Sequence, residues 1–334
     1  MVCVARAESF SLMVSRQLKQ GTVTNIAMLP AYRERLSLRQ LKERAERLRE
    51  LMKECVICPR ECRAKRLEGR YGVCRSTNEL MISSAAPHYG EEPPLVGRRG
   101  SGTVFFTSCN LKCLFCQNYD ISHLRHGRRI STSQLAEIMI GLQRGGCHNI
   151  NLVTPTHMTP HIVEGVAMAA ERGLSIPIVY NCGGYESIQT LKLLEDIVDI
   201  YMPDIKYSDN ETARRYSGAP LYWDVVRPAI REMFRQVGDL TVDEQGIARR
   251  GLLIRHLVLP NRLAGSRAVL DFIARDVSIS SYVNIMDQFR PAYRAIHYPE
   301  LSRTIKTTEF AEAVDYAYSI GLRRGFEWRG RVSN

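Results

Sequence analysis

Thr103-Val104-Phe105-Phe106-Thr107-Ser108-Cys109-Asn110-Leu111-Lys112-Cys113-Leu114-Phe115-Cys116 decides the reading of this 334-residue chain. A short run of β-branched and aromatic residues reads as a buried strand, and three thiols follow within eight residues. Loops that leave the carboxyl end of a parallel strand are where α/β proteins bind ligands. Two metal chemistries fit three such thiols. Zinc closes its structural sites with four protein ligands, so a nearby His would supply the fourth. Iron–sulfur clusters of the ferredoxin type take four cysteines, so a cluster held by three leaves one iron open to an exogenous ligand.

Outward from this loop, apolar runs recur at 103–107, 149–153, 176–180, 199–202, 252–259 and 282–286, with helical patterns between them around 135–142, 188–194, 223–236 and 268–274. Alternating strands and helices imply βαβ crossovers and a parallel sheet. Six units in about 185 residues fall short of an eight-fold barrel, so a partial barrel and an open doubly wound sheet both fit. Upstream, Leu38, Leu41, Ala45, Leu48, Leu51 and Met52 recur at helical spacing, which predicts a helix over 37–54 capped by Ser37. A cysteine- and glycine-rich knot over 55–74 follows, then a Pro/Gly-rich linker over 87–102. A last amphipathic helix is expected over 308–320, on the outside. The organisation expected is an extension at 1–30, a helix with a four-Cys segment and linker at 31–100, a core at 101–290 and a helical segment at 291–334.

The spacing C-x-x-x-C-x-x-C, with Phe115 just before the last cysteine, resembles the radical S-adenosylmethionine (SAM) superfamily. Within it the chain is most similar to the pyruvate formate-lyase activating enzyme, in the PflX-like branch. Three stretches carry this: Phe105-Phe106-Thr107-Ser108-Cys109, Asp199-Ile200-Tyr201-Met202-Pro203-Asp204-Ile205-Lys206 and Arg255-His256-Leu257-Val258-Leu259-Pro260. The resemblance covers about 55–322. It implies a partial (β/α)6 TIM-like barrel with a small Cys-rich N-terminal segment, and a [4Fe–4S] cluster on Cys109, Cys113 and Cys116 whose open iron binds SAM. It also implies an oxidoreductase that cleaves SAM to a 5′-deoxyadenosyl radical. The substrate implied by activating enzymes is a glycine of a partner protein.

The carboxyl ends of the strands supply candidates for SAM. Phe115 and Asn118 lie on the cysteine loop, Phe115 toward the adenine. Asn151, Thr154 and Thr156 close the second strand, where activating enzymes carry a Gly-Gly-Glu motif that this chain lacks. Asn181 matches an Asn after the third strand. Asp204 and Lys206, two apart, share a face of the fourth, Asp204 for the ribose, the ammonium or a small cation and Lys206 for the methionyl carboxylate. Arg255 and His256 lie on opposite faces, and His256 is the one expected to look inward. No residue is assigned to catalysis, with Cys182, as a hydrogen-atom donor or relay, and His256 as candidates.

Cys55, Cys58, Cys62 and Cys74 form a second set, able to close a zinc site or hold a further iron–sulfur cluster. Seven of ten cysteines thus cluster, which reads as metal binding in a reducing, cytoplasmic setting rather than as a disulfide framework. No apolar run suits a membrane span, Met1 to Val23 lacks a signal-peptide core, and Met28 offers an alternative start. Lys and Arg outnumber Asp and Glu by 46 to 35. Fourteen basic against seven acidic residues fall between Arg33 and Arg75. That flank fits an acidic electron donor such as flavodoxin or ferredoxin, and leaves nucleic acid open. The competing class is a non-catalytic metal-binding module acting on nucleic acid or protein.

Overall fold

The computed structural model describes residues 29–326; most of the expected extension at 1–30, with Cys3 and Met28, lies outside them. Among the described residues nine strands run in chain order: β1 (Met81–His88), β2 (Ser101–Phe106), β3 (Arg128–Arg129), β4 (Ile150–Val153), β5 (Ile178–Cys182), β6 (Ile200–Pro203), β7 (Thr241–Val242), β8 (Ala248–Leu257) and β9 (Tyr282–Met286). The order across the sheet is β3-β1-β2-β4-β5-β6-β8-β7, with β9 also on β8. From β2 to β9 the six strands read from the sequence pair in parallel, while β1 joins β2 antiparallel. This is the partial barrel. Among the described residues no helix is long and apolar enough to cross a membrane.

Alternation sorts the side chains. Val179, Ile200, Met202 and Leu253 meet inside the barrel, while Val104, Leu152, Tyr180, Tyr201 and Ile254 face the helix layer. The helix Leu38–Glu50 begins as read: Ser37 and Gln40 cap each other reciprocally. It buries Leu41, Ala45 and Leu48 on the helix Thr159–Glu171. That second helix escapes the sequence pattern because its residues are buried almost all round, from Pro160 to Ala170, leaving no polar face to set a period. The last helix, Thr307–Ser319, packs on Ser266–Phe272 as expected.

The stretch 87–102 is not a linker. Pro87 and His88 end β1, a helical turn spans Pro93–Val96, and β2 starts at Ser101. Between them the chain enters the barrel. Leu95, fully buried, packs with Val179, Ile200, Met202 and Leu253, and Asn149 Nδ2 donates to the Leu95 carbonyl at 2.9 Å. The Pro and Gly residues that read as punctuation shape a plug.

Candidate functional site

β2 ends in a sharp turn, with Ser108 at φ +71°, and delivers the three cysteines to the carboxyl end of the sheet. The loop is pinned from outside. Lys112 N–H donates to Ser217 O and Leu114 N–H to Tyr216 O, both at 2.8 Å. Asn110 Nδ2 donates to Tyr185 O at 2.8 Å. Sulfurs receive hydrogen bonds too: Leu111 N–H to Cys109 Sγ at 3.3 Å and Ser217 Oγ–H to Cys113 Sγ at 3.0 Å. Burial pushes the Cys109 thiol up to about 12, and the neighbouring Cys113 and Cys116 add to it. Burial also raises Cys113, against the pull of Lys206. Three clustered thiols, of which Cys109 and Cys113 resist ionisation and already receive donors, suit a metal whose charge replaces their protons. The donor set fits an iron–sulfur cluster. Phe115 is buried, edge-on to Tyr207 and Phe289, whereas Asn118 is exposed beside the loop.

Across the mouth lies a charged network inside the barrel. Asp204 accepts from Lys206 Nζ at 2.5 Å and Arg255 Nε at 2.8 Å. Arg255 Nη2 donates to Asn181 Oδ1 at 2.7 Å, and Arg255 Nη1 lies 3.7 Å from Glu91 Oε2. His88 Nδ1 stands 3.1 Å from Glu91 Oε1. Burial alone would raise Asp204, but Arg255 and Lys206 outweigh it and hold the carboxyl below its usual range. Burial would lower Lys206, yet Asp204 and Cys113 keep it raised and charged. Gly184, at φ +73°, sits where a Cβ would come within 2.5 Å of the Asp204 carbonyl, so only glycine lets the chain leave β5 behind this network.

Asn181, Asp204 and Lys206 therefore converge with the cysteine loop. Three other expectations need correction. His256 does not look inward: Arg255 takes that face, and the fully buried His256 ring bonds to Ile205 O at 2.7 Å and Ser266 Oγ at 2.8 Å in the helix layer. Cys182 likewise points at Glu186 and the helix layer, because Asn181 occupies the inner face, which removes it as a relay at the mouth. Thr156 is buried and donates to Glu186 Oε1 at 2.6 Å. Thr154 stays at the rim at φ +59°, a strained backbone for a β-branched residue. Asn151 lies on the inner face of β4, fully buried. Sequence reasoning missed His88, Glu91 and Glu92; the adjacent acids ahead of Pro93-Pro94 were the available signal.

The four-Cys segment adjoins the same loop. Arg60 Nε donates to Asn110 O at 2.8 Å, and Thr190 Oγ1 donates to Ile57 O at 2.7 Å. Cys55, Cys58 and Cys74 are buried, and burial raises the Cys55 and Cys58 thiols. A Cβ at Gly72 would lie 3.2 Å from Cys62 Sγ and 3.5 Å from Cys74 Sγ, so glycine keeps a cradle open between the two sulfurs. Arg66 is fully buried. It donates to Thr77 O and His157 O and reaches Cys55 Sγ at 3.8 Å, and among the described residues no carboxylate pairs with it. A buried guanidinium needs an anion, and ionised sulfurs supply one. These residues fit a metal centre. Among the described residues no three Cys, His, Asp or Glu groups stand close enough to grip a single ion. The cavity of about 300 Å³ beside Val258, Ser266 and Glu309 lies on the outer helix layer, apart from both sets.

Residues 103–243 match the radical SAM superfamily. An uncharacterized protein of Methanocaldococcus jannaschii is 31% identical over 287 residues, covering 84% of this chain and 78% of its own. Among solved structures, Streptococcus suis SuiB bound to its precursor peptide SuiA aligns with TM-score 0.44 at 11% identity, over 65% of this chain and 45% of SuiB. The chain thus spans less than half of SuiB. Methylornithine synthase aligns with TM-score 0.44 at 14% identity, over 85% of this chain and 70% of that one. By its matching domain and its archaeal relative, the chain belongs to the radical SAM superfamily.

Proposed function

We propose that this chain is a radical SAM oxidoreductase that takes a hydrogen atom from a substrate held at the barrel mouth. The observation that carries the reading is the placement of three thiols at the end of β2, facing the Asn181–Asp204–Lys206–Arg255 network across the opening. A [4Fe–4S] cluster on Cys109, Cys113 and Cys116, with SAM on its open iron, would supply a carbon-centred radical when reduced. The chain's own part is positional. Lys206 lends positive charge near Cys113 and is oriented by Asp204. Tyr222 fixes that strand end, accepting the Lys206 N–H at 2.9 Å. Phe115, packed on Tyr207 and Phe289, keeps the inner side of the cysteine loop dry.

For the four-Cys segment we favour an iron–sulfur cluster over zinc. Arg66 asks for sulfur anions, which either metal would supply, and analogy with auxiliary clusters elsewhere in the superfamily favours iron–sulfur. An acidic donor of the flavodoxin or ferredoxin class would dock where Arg70, Arg75 and Arg128 are exposed, beside Tyr71 and Arg125. Added salt should then slow reduction. On the activating-enzyme reading the hydrogen comes from a glycine of a partner protein, and the stretch Asp199–Lys206 is what favours it.

Dithionite-reduced, anaerobically reconstituted protein given SAM should release 5′-deoxyadenosine and methionine, and Cys113→Ala should release neither. Unchanged release from that variant would overturn the assignment. Deuterium appearing in 5′-deoxyadenosine from a labelled glycine of a co-purifying protein would select the activating-enzyme reading.

A further inference from the structure

We infer that the barrel interior is a pocket for the ammonium group of the substrate, with Glu92 as its anion and Asn151 and Asn284 as its polar walls. The inference rests on the radical SAM reading and names the substrate class of that same site.

The plug lifts two adjacent carboxylates into the barrel. Glu91 is engaged by Arg255 and His88. Glu92 is not so placed. It is 6% exposed, one oxygen accepts from Asn284 Nδ2 at 2.8 Å, and Oε2 has no hydrogen-bond partner among the described residues. A neutral amide is poor compensation for a buried carboxylate taken out of water. Arg255 is near enough to feel Glu92, but its three nitrogens already face Asp204, Asn181 and Glu91. Around the interior Asp204 is answered by Arg255 and Lys206 and Glu91 by Arg255 and His88, while Glu92 has only the Asn284 amide.

A second observation points the same way. Asn151 is fully buried on the inner face of β4, and among the described residues neither its Oδ1 nor its Nδ2 has a partner. Asn284 Oδ1, on β9, is equally unsatisfied. Buried polar atoms are nearly always hydrogen-bonded, so orphans on β4, on β9 and on the plug describe a guest. An ammonium offers three donors, which the oxygens of Glu92, Asn151 and Asn284 would accept. Leu95, Val179, Met202 and Leu253, which cluster inside the barrel, would line the carbon chain. A carboxylate guest would meet Glu91 and Glu92.

The test uses the reconstituted holoenzyme with SAM and three probes of one length: n-butylammonium chloride, butan-1-ol and sodium butyrate, titrated calorimetrically. Butylammonium should bind at least about tenfold more tightly than the alcohol, and butyrate should not bind. Glu92→Gln should bring butylammonium to within about twofold of the alcohol, and Asn151→Asp should tighten it. Equal binding of alcohol and amine, binding of butyrate, or displacement of the amine by equimolar potassium chloride would each overturn the assignment. So would a folded Glu92→Gln protein that keeps the preference. The wild-type series needs no variant to fold. If wild-type protein fails to release 5′-deoxyadenosine, the enzyme reading falls; if it releases it without preferring the amine, the ammonium pocket alone falls.

Discussion

Each set of cysteines has a buried cation beside it, and the two cations are balanced differently. At the β2 loop Lys206 lies near Cys113, but Asp204 holds it at 2.5 Å and Arg255 holds Asp204 at 2.8 Å. That charge closes within the barrel whether or not the thiols are ionised. In the 55–74 segment Arg66 meets two carbonyls and one sulfur. Its charge closes only when the sulfurs are anions, which for buried thiols means metal-bound ones. One site is organised by protein charges before any metal arrives; on the proposed reading, the other would be organised by its metal.

The contrast breaks or stands first on metal removal. Cys74→Ala should strip the segment of metal and lower the thermal midpoint by roughly 10 °C, since this small piece has only the cluster of Met52, Cys55 and Ile57 for a core. Cys116→Ala should lose its metal with a shift of only a few degrees. Iron analysis with thermal unfolding of both variants decides it, and equal shifts would erase the difference.

Next in size is Asp204→Asn. It leaves Lys206 and Arg255 without their shared anion at side-chain exposures of 17% and 18%, a loss of about 3–5 kcal/mol in denaturant unfolding. Arg66→Met sharpens the other half of the comparison because its sign should change. With metal bound it should destabilise by about 3 kcal/mol, stranding the sulfur charge. With metal removed and thiols protonated, it deletes an unbalanced buried cation and should be neutral or stabilising. The same sign in both states would mean that Arg66 does not answer the sulfurs.

Much of this was legible in the chain, for a physical reason. Strands buried on both faces read as continuous apolar runs, so the six runs land on β2, β4, β5, β6, β8 and β9. The same property hid the choice between Arg255 and His256. Period two places them on opposite faces, but when neither face meets water nothing local says which is the inside. The plug was hidden differently. Pro93 and Pro94 among glycines look like a surface loop, and only the closing of the barrel around Leu95 gives Glu91 and Glu92 their place. Arg66 looked like one more charge in a basic run until its burial against His157 O set it apart.

The smallest expected effect tests what stands behind the Lys206 side of the comparison. His256 grips the Ile205 carbonyl, between Asp204 and Lys206 in the chain. With Nδ1–H donating there, Nε2 is left to accept the Ser266 hydroxyl, which suits a neutral ring. Burial, only partly opposed by the bond to Ile205, lowers its pKa from 6.5 to about 4. Between those values the unfolded chain takes up a proton that the folded one refuses, so this contribution to stability is present above pH 6.5 and lost as pH falls toward 4, at about 1.4 kcal/mol per pH unit. His157 and His161 are lowered in the same direction and act alike in wild type and variant. His256→Asn keeps a donor toward Ile205 but cannot titrate. The difference between wild-type and variant denaturant midpoints at pH 6.5, 5.5 and 4.5 should therefore isolate one proton's slope. Parallel curves would mean that the ring titrates near its ordinary value, in contact with water at the mouth, and that the strand end carrying Asp204 and Lys206 is not anchored from behind.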